Sequence, residues 1–291
     1  MATDSRTPII GIIGGSGLYE IDGLEDTSWK KVESSFGEPS DELFFGKLAG
    51  VQLVFLPRHG RGHRIPPSEI NYRANIDSMK RAGVTDIISL SACGSFKEEL
   101  APGCFVIIDQ FIDRTFARVK SFFGTGLVGH VAFGDPVCPT LGDCLEEAAK
   151  ELDLQVTRYG TYLCMEGPQF STKAESNLYR SWGCDVIGMT NMPEAKLARE
   201  AEIAYATVAM VTDYDCWHDG HDHVTVDQVI KVLLGNAEKA RALVKQAAPK
   251  LAKLTEPRAP HRALDNAIMT APEKRDPELV RKLDAVAGRV L

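Results

Sequence analysis

The chain has 291 residues, 44% hydrophobic and 25% charged, a balance that excludes a disordered or fibrous protein and fits a globular enzyme. With 33 Lys and Arg against 40 Asp and Glu, its formal net charge is -7, so neither nucleic acid nor an anionic membrane surface is an expected partner. No apolar run approaches the roughly 18 residues of a membrane span, and the first residues are polar without a secretory apolar core, so a cytoplasmic protein is expected.

Short Ile- and Val-rich runs that do not strictly alternate predict strands buried on both faces at residues 9–13, 51–57, 86–91, 104–112, 185–189 and 203–211. Between them, apolar residues at three-and-four spacing predict helices over 70–81, 141–152, 172–182, 193–202 and 225–247. Thr172 with Glu175 and Thr225 with Gln228 fit capping boxes, in which a hydroxyl and a third-position side chain satisfy exposed backbone donors. Strands alternating with helices predict an α/β fold on a largely parallel or mixed sheet, with ligands at the carboxyl ends of strands. Residues 255–274 turn to Pro, charge and small side chains and read as a linker or surface wrap. A last helix follows, capped by Asp276, with Pro277 in its first turn and an apolar stripe from Leu279 to Leu291. The expected division is a catalytic domain over 1–254 and, over 255–291, a linker and helix packing on the body or on a neighbouring subunit.

Seven dispersed cysteines with no C-x-x-C pair read as reduced thiols, mostly small buried hydrophobes. Cys93 as a nucleophile has no partner base that the sequence can assign.

Three strand ends carry anion-binding chemistry. Ile9-Ile-Gly-Ile-Ile-Gly-Gly-Ser-Gly17 runs a strand into a glycine turn, where backbone N–H groups and the Ser16 hydroxyl can approach a phosphate oxygen. It is neither G-x-G-x-x-G nor a P-loop, and it also reads as a tight turn with no ligand. Pro57-Arg-His-Gly-Arg-Gly-His-Arg64 gathers five potential cations after a strand, either a solvated loop or, through Arg58 and His59, an anion cradle. Ser89-Leu-Ser-Ala-Cys-Gly94 ends a third strand with the Ser91 hydroxyl and the backbone at Ala92 available as donors.

Asp213 and Asp215 follow an apolar strand at i and i+2, so in an extended segment both carboxyls point the same way. Such a pair can hold one charged and one protonated group, which suits the donor-acceptor edge of a base; the alternative is two ordinary acidic turn residues. Cys216, His218, His221 and His223 form a run that matches no common zinc spacing, so no metal is expected.

Together these segments resemble the trimeric purine nucleoside phosphorylase family, in its methylthioadenosine phosphorylase branch, almost unbroken from Ile9 to about Leu251. The motifs that carry the resemblance are Gly14-Gly-Ser-Gly17, Arg58-His-Gly60, Asn71-Tyr-Arg-Ala-Asn75, Ser91-Ala-Cys-Gly94, Ile108-Asp-Gln-Phe-Ile-Asp-Arg114, Glu166-Gly-Pro-Gln-Phe170 and Thr212-Asp-Tyr-Asp-Cys-Trp217. The resemblance implies a single domain with a mixed central sheet flanked by helices, a homotrimer, no cofactor, and phosphorolysis of methylthioadenosine in purine and methionine salvage, with inorganic phosphate as co-substrate. It implies that Ser16, Arg58, His59, Ser91, the Ala92 backbone and Thr190 hold phosphate, that Met189 lies against the ribose, and that Phe170 stacks on the base beside Ile187. By position it also implies that Val226, Val229 and Ile230 line an apolar 5' pocket and that His130 is donated by a neighbouring subunit. Asp213, where relatives acting on 6-oxopurines carry Asn, is the expected acid at purine N7, with Asp215 beside it and His59 and Arg58 gathering the phosphate. Its pKa must then lie well above the ~3.9 of an ordinary Asp. Glu166, beside the Gly-Pro turn, has no base contact that the sequence can assign. Competing readings are a broader phosphorylase that also takes adenosine or inosine, a nucleosidase using water, and an inactive nucleoside-binding sensor.

Overall fold

The structure, a computed structural model, describes residues 7–15, 17–218 and 226–291, with the backbone alone for 226–231. Its strands are β1 (Ile10–Gly14), β2 (Glu25–Lys30), β3 (Leu43–Leu48), β4 (Val51–Pro57), β5 (Asp86–Ser95), β6 (Phe105–Ile107), β7 (Gln110–Arg114), β8 (Val156–Arg158), β9 (Thr161–Met165), β10 (Val186–Gly188) and β11 (Ala204–Asp213). Its helices are α1 (Tyr72–Arg81), α2 (Pro139–Glu151), α3 (Lys173–Ser181), α4 (Asn191–Glu200), α5 (Val226–Leu251), α6 (Pro277–Lys282) and α7 (Asp284–Ala287). None of the described helices is long and apolar enough to cross a membrane.

Successive residues of the central strands point to opposite faces, and both faces are covered. Ile13, Ile87 and Ala209 belong to one apolar cluster, with side chains of α1 and α4. Their neighbours Ile12, Ile88 and Val208 belong to the other, with α2 and α5. Burial on both sides is why these strands read as continuous apolar runs.

The sheet is mixed and follows the order β2-β3-β4-β1-β5-β10-β9-β7, with β11 on β5 and β6, and β8 on β6. Strand β5 is its fork. β11 runs parallel along one edge of it, from Asp86 to Gly94. Along the other edge β1 pairs residues 86–89 in parallel, whereas β10 pairs Gly94 and Ser95 antiparallel. Residues 90–93 pair with neither, so the sheet opens there.

The predicted run over 104–112 is two strands, because the chain leaves β11 at Ile107 and joins β9 from Gln110. Between them the Asp109 carboxylate accepts the Gly160 N–H at 2.7 Å. Strands β2, β3, β8 and β9 are additional to the sequence reading; β2 is a largely exposed edge with little apolar content to signal it. The Thr172–Glu175 capping box is present, whereas Thr225 lies outside the described residues. The last predicted helix is two short ones, α6 and α7, and Asp276 caps the first by accepting from Leu279 N at 2.8 Å. Residues 255–291 lie against the body: Arg258 pairs with buried Asp86, Arg289 Nε donates to Glu202 at 2.8 Å, and Leu264 and Leu283 are buried. All seven cysteines are free and five are buried.

Candidate active site

A cavity of about 420 Å³ lies at the opening in the sheet. Residues 90–94 of β5 form its floor, the turns after β1 and β4 bring Gly15, Arg58 and His59, and β10 with the turn after it brings Ile187 to Thr190. The end of β11 brings Thr212, Asp213 and Asp215, the loop after β9 brings Phe170, and α5 brings Leu233 and Ala237. Phe170 lines the cavity and is 51% exposed.

One end is built from polar groups held under the floor. Arg58 is 2% exposed and locked on Glu194, Nε to Oε2 at 2.7 Å and Nη2 to Oε1 at 3.0 Å. It also donates to Leu90 O at 3.0 Å and to Ser89 Oγ at 2.6 Å. Burial works against its charge, but Glu194 more than offsets it and keeps the guanidinium protonated. Most of its fork is therefore spent on the protein, in contrast to the free fork that the sequence suggests. His59 Nδ1 lies 2.8 Å from Ile65 O, and because a carbonyl only accepts, Nδ1 carries the proton and Nε2 is the bare nitrogen. Burial, reinforced by the Arg58 charge, pushes His59 down to about 4, so near neutrality it is an uncharged dipole rather than a second cation. Ser91 Oγ lies 3.3 Å from Thr190 Oγ1 and 3.1 Å from the Tyr162 hydroxyl, and the Thr190 side chain makes no cap to α4. Two hydroxyls thus converge beside Arg58 and His59.

The other end is acidic. Asp213 Oδ2 lies 2.7 Å from Thr212 Oγ1, which is also 3.1 Å from Cys93 O. The single hydroxyl proton of Thr212 serves one of them at a time. When it goes to the Cys93 carbonyl, a proton on Asp213 completes the other bond. Burial raises the Asp213 pKa, against the bonds from Thr212 and from the Asp215 N–H. Burial likewise raises Asp215, against the nearby Ser176 and Ser171 hydroxyls and the Cys216 N–H, and the neighbouring Asp213 charge adds to the rise. Oδ2 of Asp215 is buried with no hydrogen-bond partner.

Alternation along an extended strand is not what brings the two carboxyls together. The pairing of β11 with β5 shifts between Val211 and Asp213, and Asp215 has φ +52°, so the chain turns back. The Asp215 N–H then donates to Asp213 Oδ1 at 2.8 Å. Gly94 makes room for the pair: a Cβ there would sit 2.9 Å from Asp213 Oδ1 and 3.3 Å from Asp215 Cβ.

The cavity thus has hydroxyls and a buried Arg at one end and two protonatable carboxyls at the other, with Phe170 on its wall. The family model of the phosphorylase superfamily matches residues 9–249. The chain belongs to the phosphorylase superfamily. It is 64% identical to the S-methyl-5'-thioadenosine phosphorylase of Rhodospirillum rubrum over the whole of both chains. To the protein of the same name from Cereibacter sphaeroides it is 63% identical, over 97% of this chain and 98% of that one. Among solved structures, a methylthioadenosine phosphorylase from an Antarctic soil metagenomic library superposes with a TM-score of 0.91 at 48% identity, covering 97% of this chain and 99% of that chain. A variant of the adenosine/methylthioadenosine phosphorylase of Schistosoma mansoni, in complex with adenine, gives a TM-score of 0.83 at 34% identity, covering 90% and 99%.

Within this superfamily member, one cavity collects Arg58, His59, Ser91, Ala92, Phe170, Ile187, Met189, Thr190, Asp213 and Asp215. Ser16 lies outside the described residues, as do the side chains of Val226, Val229 and Ile230; the neighbouring stretch of α5 presents Leu233 and Ala237. His130 is exposed and lines a different cavity, with Lys120, Ser121 and Glu200 among its walls. No group of three His, Cys, Asp or Glu among the described residues could hold a metal ion; His221 and His223 lie outside them. Glu166 does not face the base end: its carboxylate pairs with Ser68 and Arg118 and accepts the Phe116 N–H at 2.5 Å and the Ala117 N–H at 3.2 Å. Sequence reasoning gave no role to Glu194 or Thr212, because a Glu in a short helix of mixed polarity and a Thr before an Asp are too common to stand out.

Proposed function

We propose that this protein catalyses the phosphorolysis of 5'-methylthioadenosine to adenine and 5-methylthioribose 1-phosphate. The observation that carries the reading is the pair Asp213 and Asp215 with one buried carboxylate oxygen unpartnered. Such an orphan acceptor costs about 1–3 kcal/mol and is relieved by a donor such as the exocyclic amine of an aminopurine. A protonated Asp213 beside it suits N7, an acceptor. The Phe170 ring supplies a stacking face.

At the opposite end the Ser91 and Thr190 hydroxyls, the Ala92 backbone and Arg58 donate to phosphate, the bare Nε2 of His59 accepts from a protonated phosphate oxygen, and Ser16 is a further donor. A phosphate oxygen bonds to the anomeric carbon as its bond to N9 breaks. The electron pair of that bond flows into the purine, and the proton of Asp213 moves to N7. Protonation spares the enzyme a purine anion as leaving group, and the phosphate charge stabilises the oxocarbenium-like sugar. Asp213 regains its proton from solvent after adenine leaves. Inorganic phosphate is the co-substrate, and the scheme uses no cofactor. Leu233 and Ala237 of α5 give the cavity an apolar wall that suits a methylthio group, and we propose that Val226, Val229 and Ile230 belong to the same 5' pocket.

The exposure of His130 and of Phe116 and Val119, large apolar side chains 81% and 59% exposed, supports a homotrimer in which His130 completes a neighbour's site. A second reading, in which adenosine is also a substrate, is favoured by the likeness to the Schistosoma mansoni adenosine/methylthioadenosine phosphorylase. Initial rates with methylthioadenosine, adenosine and inosine, with and without phosphate, test both. Methylthioadenosine is expected to be cleaved fastest and only with phosphate. No adenine release from it by folded protein in phosphate would overturn the proposal.

A further inference from the structure

Arg118 follows β7, its side chain is 1% exposed, and it is not among the residues lining the active-site cavity. Its guanidinium nevertheless bonds to both walls of that cavity. Nη1 donates to Met189 O and to Met192 O, each at 2.6 Å. Nη2 donates to Glu166 O at 2.8 Å. Nε lies 3.3 Å from Glu166 Oε1 and from Ser68 Oγ. The Met189 acceptor begins the turn that carries Met189 and Thr190, and the Glu166 acceptor begins the loop that carries Phe170.

The backbone ladder joins these walls only at their base. Strands β9 and β10 pair in parallel from Tyr162↔Val186 to Cys164↔Gly188, and their ladder stops there. Beyond it the two walls meet through side chains, Met189 packing on Gly167 and the Met192 N–H donating to Cys164 Sγ at 3.4 Å, and Arg118 adds a planar fork whose two ends reach main-chain acceptors on both segments. A Lys ammonium, a single point on a flexible stem, cannot make that span. Glu166 neutralises the buried charge and, by accepting the Phe116 and Ala117 amides, fixes the segment from which Arg118 projects.

We infer that Arg118 is a positioning residue that sets the spacing between the Phe170 wall and the Met189–Thr190 wall, so that the nucleoside and phosphate subsites are ordered as one unit. The inference rests on the assignment of those subsites proposed above. Because Arg118 touches no substrate, it acts wholly through the two walls.

The test compares wild type with Arg118→Lys, checked for folding by circular dichroism, by steady-state kinetics and by backbone amide exchange of the ligand-free protein. Arg118→Lys is expected to raise the KM for methylthioadenosine and the KM for phosphate together, each about tenfold or more. Amide exchange is expected to quicken in both 166–171 and 189–192. A rise confined to one substrate, exchange changed in one wall only, or a lowered Tm with wild-type KM values would overturn the inference. Should Arg118→Lys not fold, Glu166→Gln takes its place: it keeps the guanidinium but removes its charge partner. Quickened exchange in both segments is then expected, and wild-type exchange in either overturns the inference. A wild type inactive on methylthioadenosine would count against the proposed function instead, since the exchange comparison does not depend on the substrate.

Discussion

Glu194 receives Arg58 through two nearly parallel bonds, Nε to Oε2 at 2.7 Å and Nη2 to Oε1 at 3.0 Å, with both side chains almost wholly buried. Ser89 and the Tyr205 hydroxyl complete the Glu194 carboxylate, donating to Oε1 at 2.7 and 2.9 Å. Removing one member of such a pair leaves an uncompensated buried charge, a loss of about 3–5 kcal/mol. Glu194→Ala is therefore expected to unfold at markedly lower denaturant concentration and, where it folds, to bind phosphate weakly. A denaturation midpoint equal to wild type would show that the pair contributes nothing to the site's rigidity.

Asp213→Asn keeps the size of the side chain and removes the transferable proton. Turnover of methylthioadenosine is expected to fall by about 10²–10⁴-fold, the range of a lost general acid. The KM for phosphate, bound at the far end of the cavity, is expected to stay within about twofold of wild type, since Asp213 sits at the opposite end. Wild-type turnover by the variant would remove Asp213 from its role.

Gly94→Ala places a methyl group 2.9 Å from Asp213 Oδ1 and 3.2 Å from Ile187 Cγ2. Neither neighbour is free to retreat, because Asp213 is held by Thr212 and the Asp215 N–H while Ile187 belongs to β10. If Asp213 is the acid proposed above, a displacement of this kind costs up to about 100-fold. The expected result is a fall in kcat/KM for the nucleoside of that order with the fold intact by circular dichroism.

Glu200 lies outside the active site, and burial lifts its pKa to about 7 against hydrogen bonds from the Ser121 hydroxyl and the Phe122 N–H. In the unfolded chain a Glu titrates near ~4.3, so folding takes up a proton between these values and stability falls as pH rises through that window. The loss amounts to about 4 kcal/mol once both states are ionised. Glu200→Gln cannot ionise, so its Tm relative to wild type is expected to climb as pH rises from the ordinary Glu range to about 7 and to level off above it. A difference independent of pH would contradict the buried, protonated carboxyl.

The sequence by itself determined the fold class, the central strands and the strand-end motifs, because these depend on local pattern, while Phe170, Ile187, Met189 and Thr190 followed from the family resemblance. Ile12 and Ile13, or Ile87 and Ile88, announce a strand covered on both faces wherever it sits. The Gly-Ser, Arg-His and Asp-x-Asp motifs lie at strand ends, where the chain is free to turn toward a ligand. Only the tertiary structure decided what those residues are. Arg58 reads as a free cation, yet Glu194, 136 positions away, holds its fork. His59 reads as another cation, yet burial and the Ile65 carbonyl make it neutral and fix its tautomer. The two aspartates meet through a shifted register and a turn at Asp215, which no spacing rule contains. The opening that holds them exists because β1 and β10 share one edge of β5 without meeting. Charge state, hydrogen-bond occupancy and register depend on neighbours distant in the chain, and for that reason they arise only when the chain is folded.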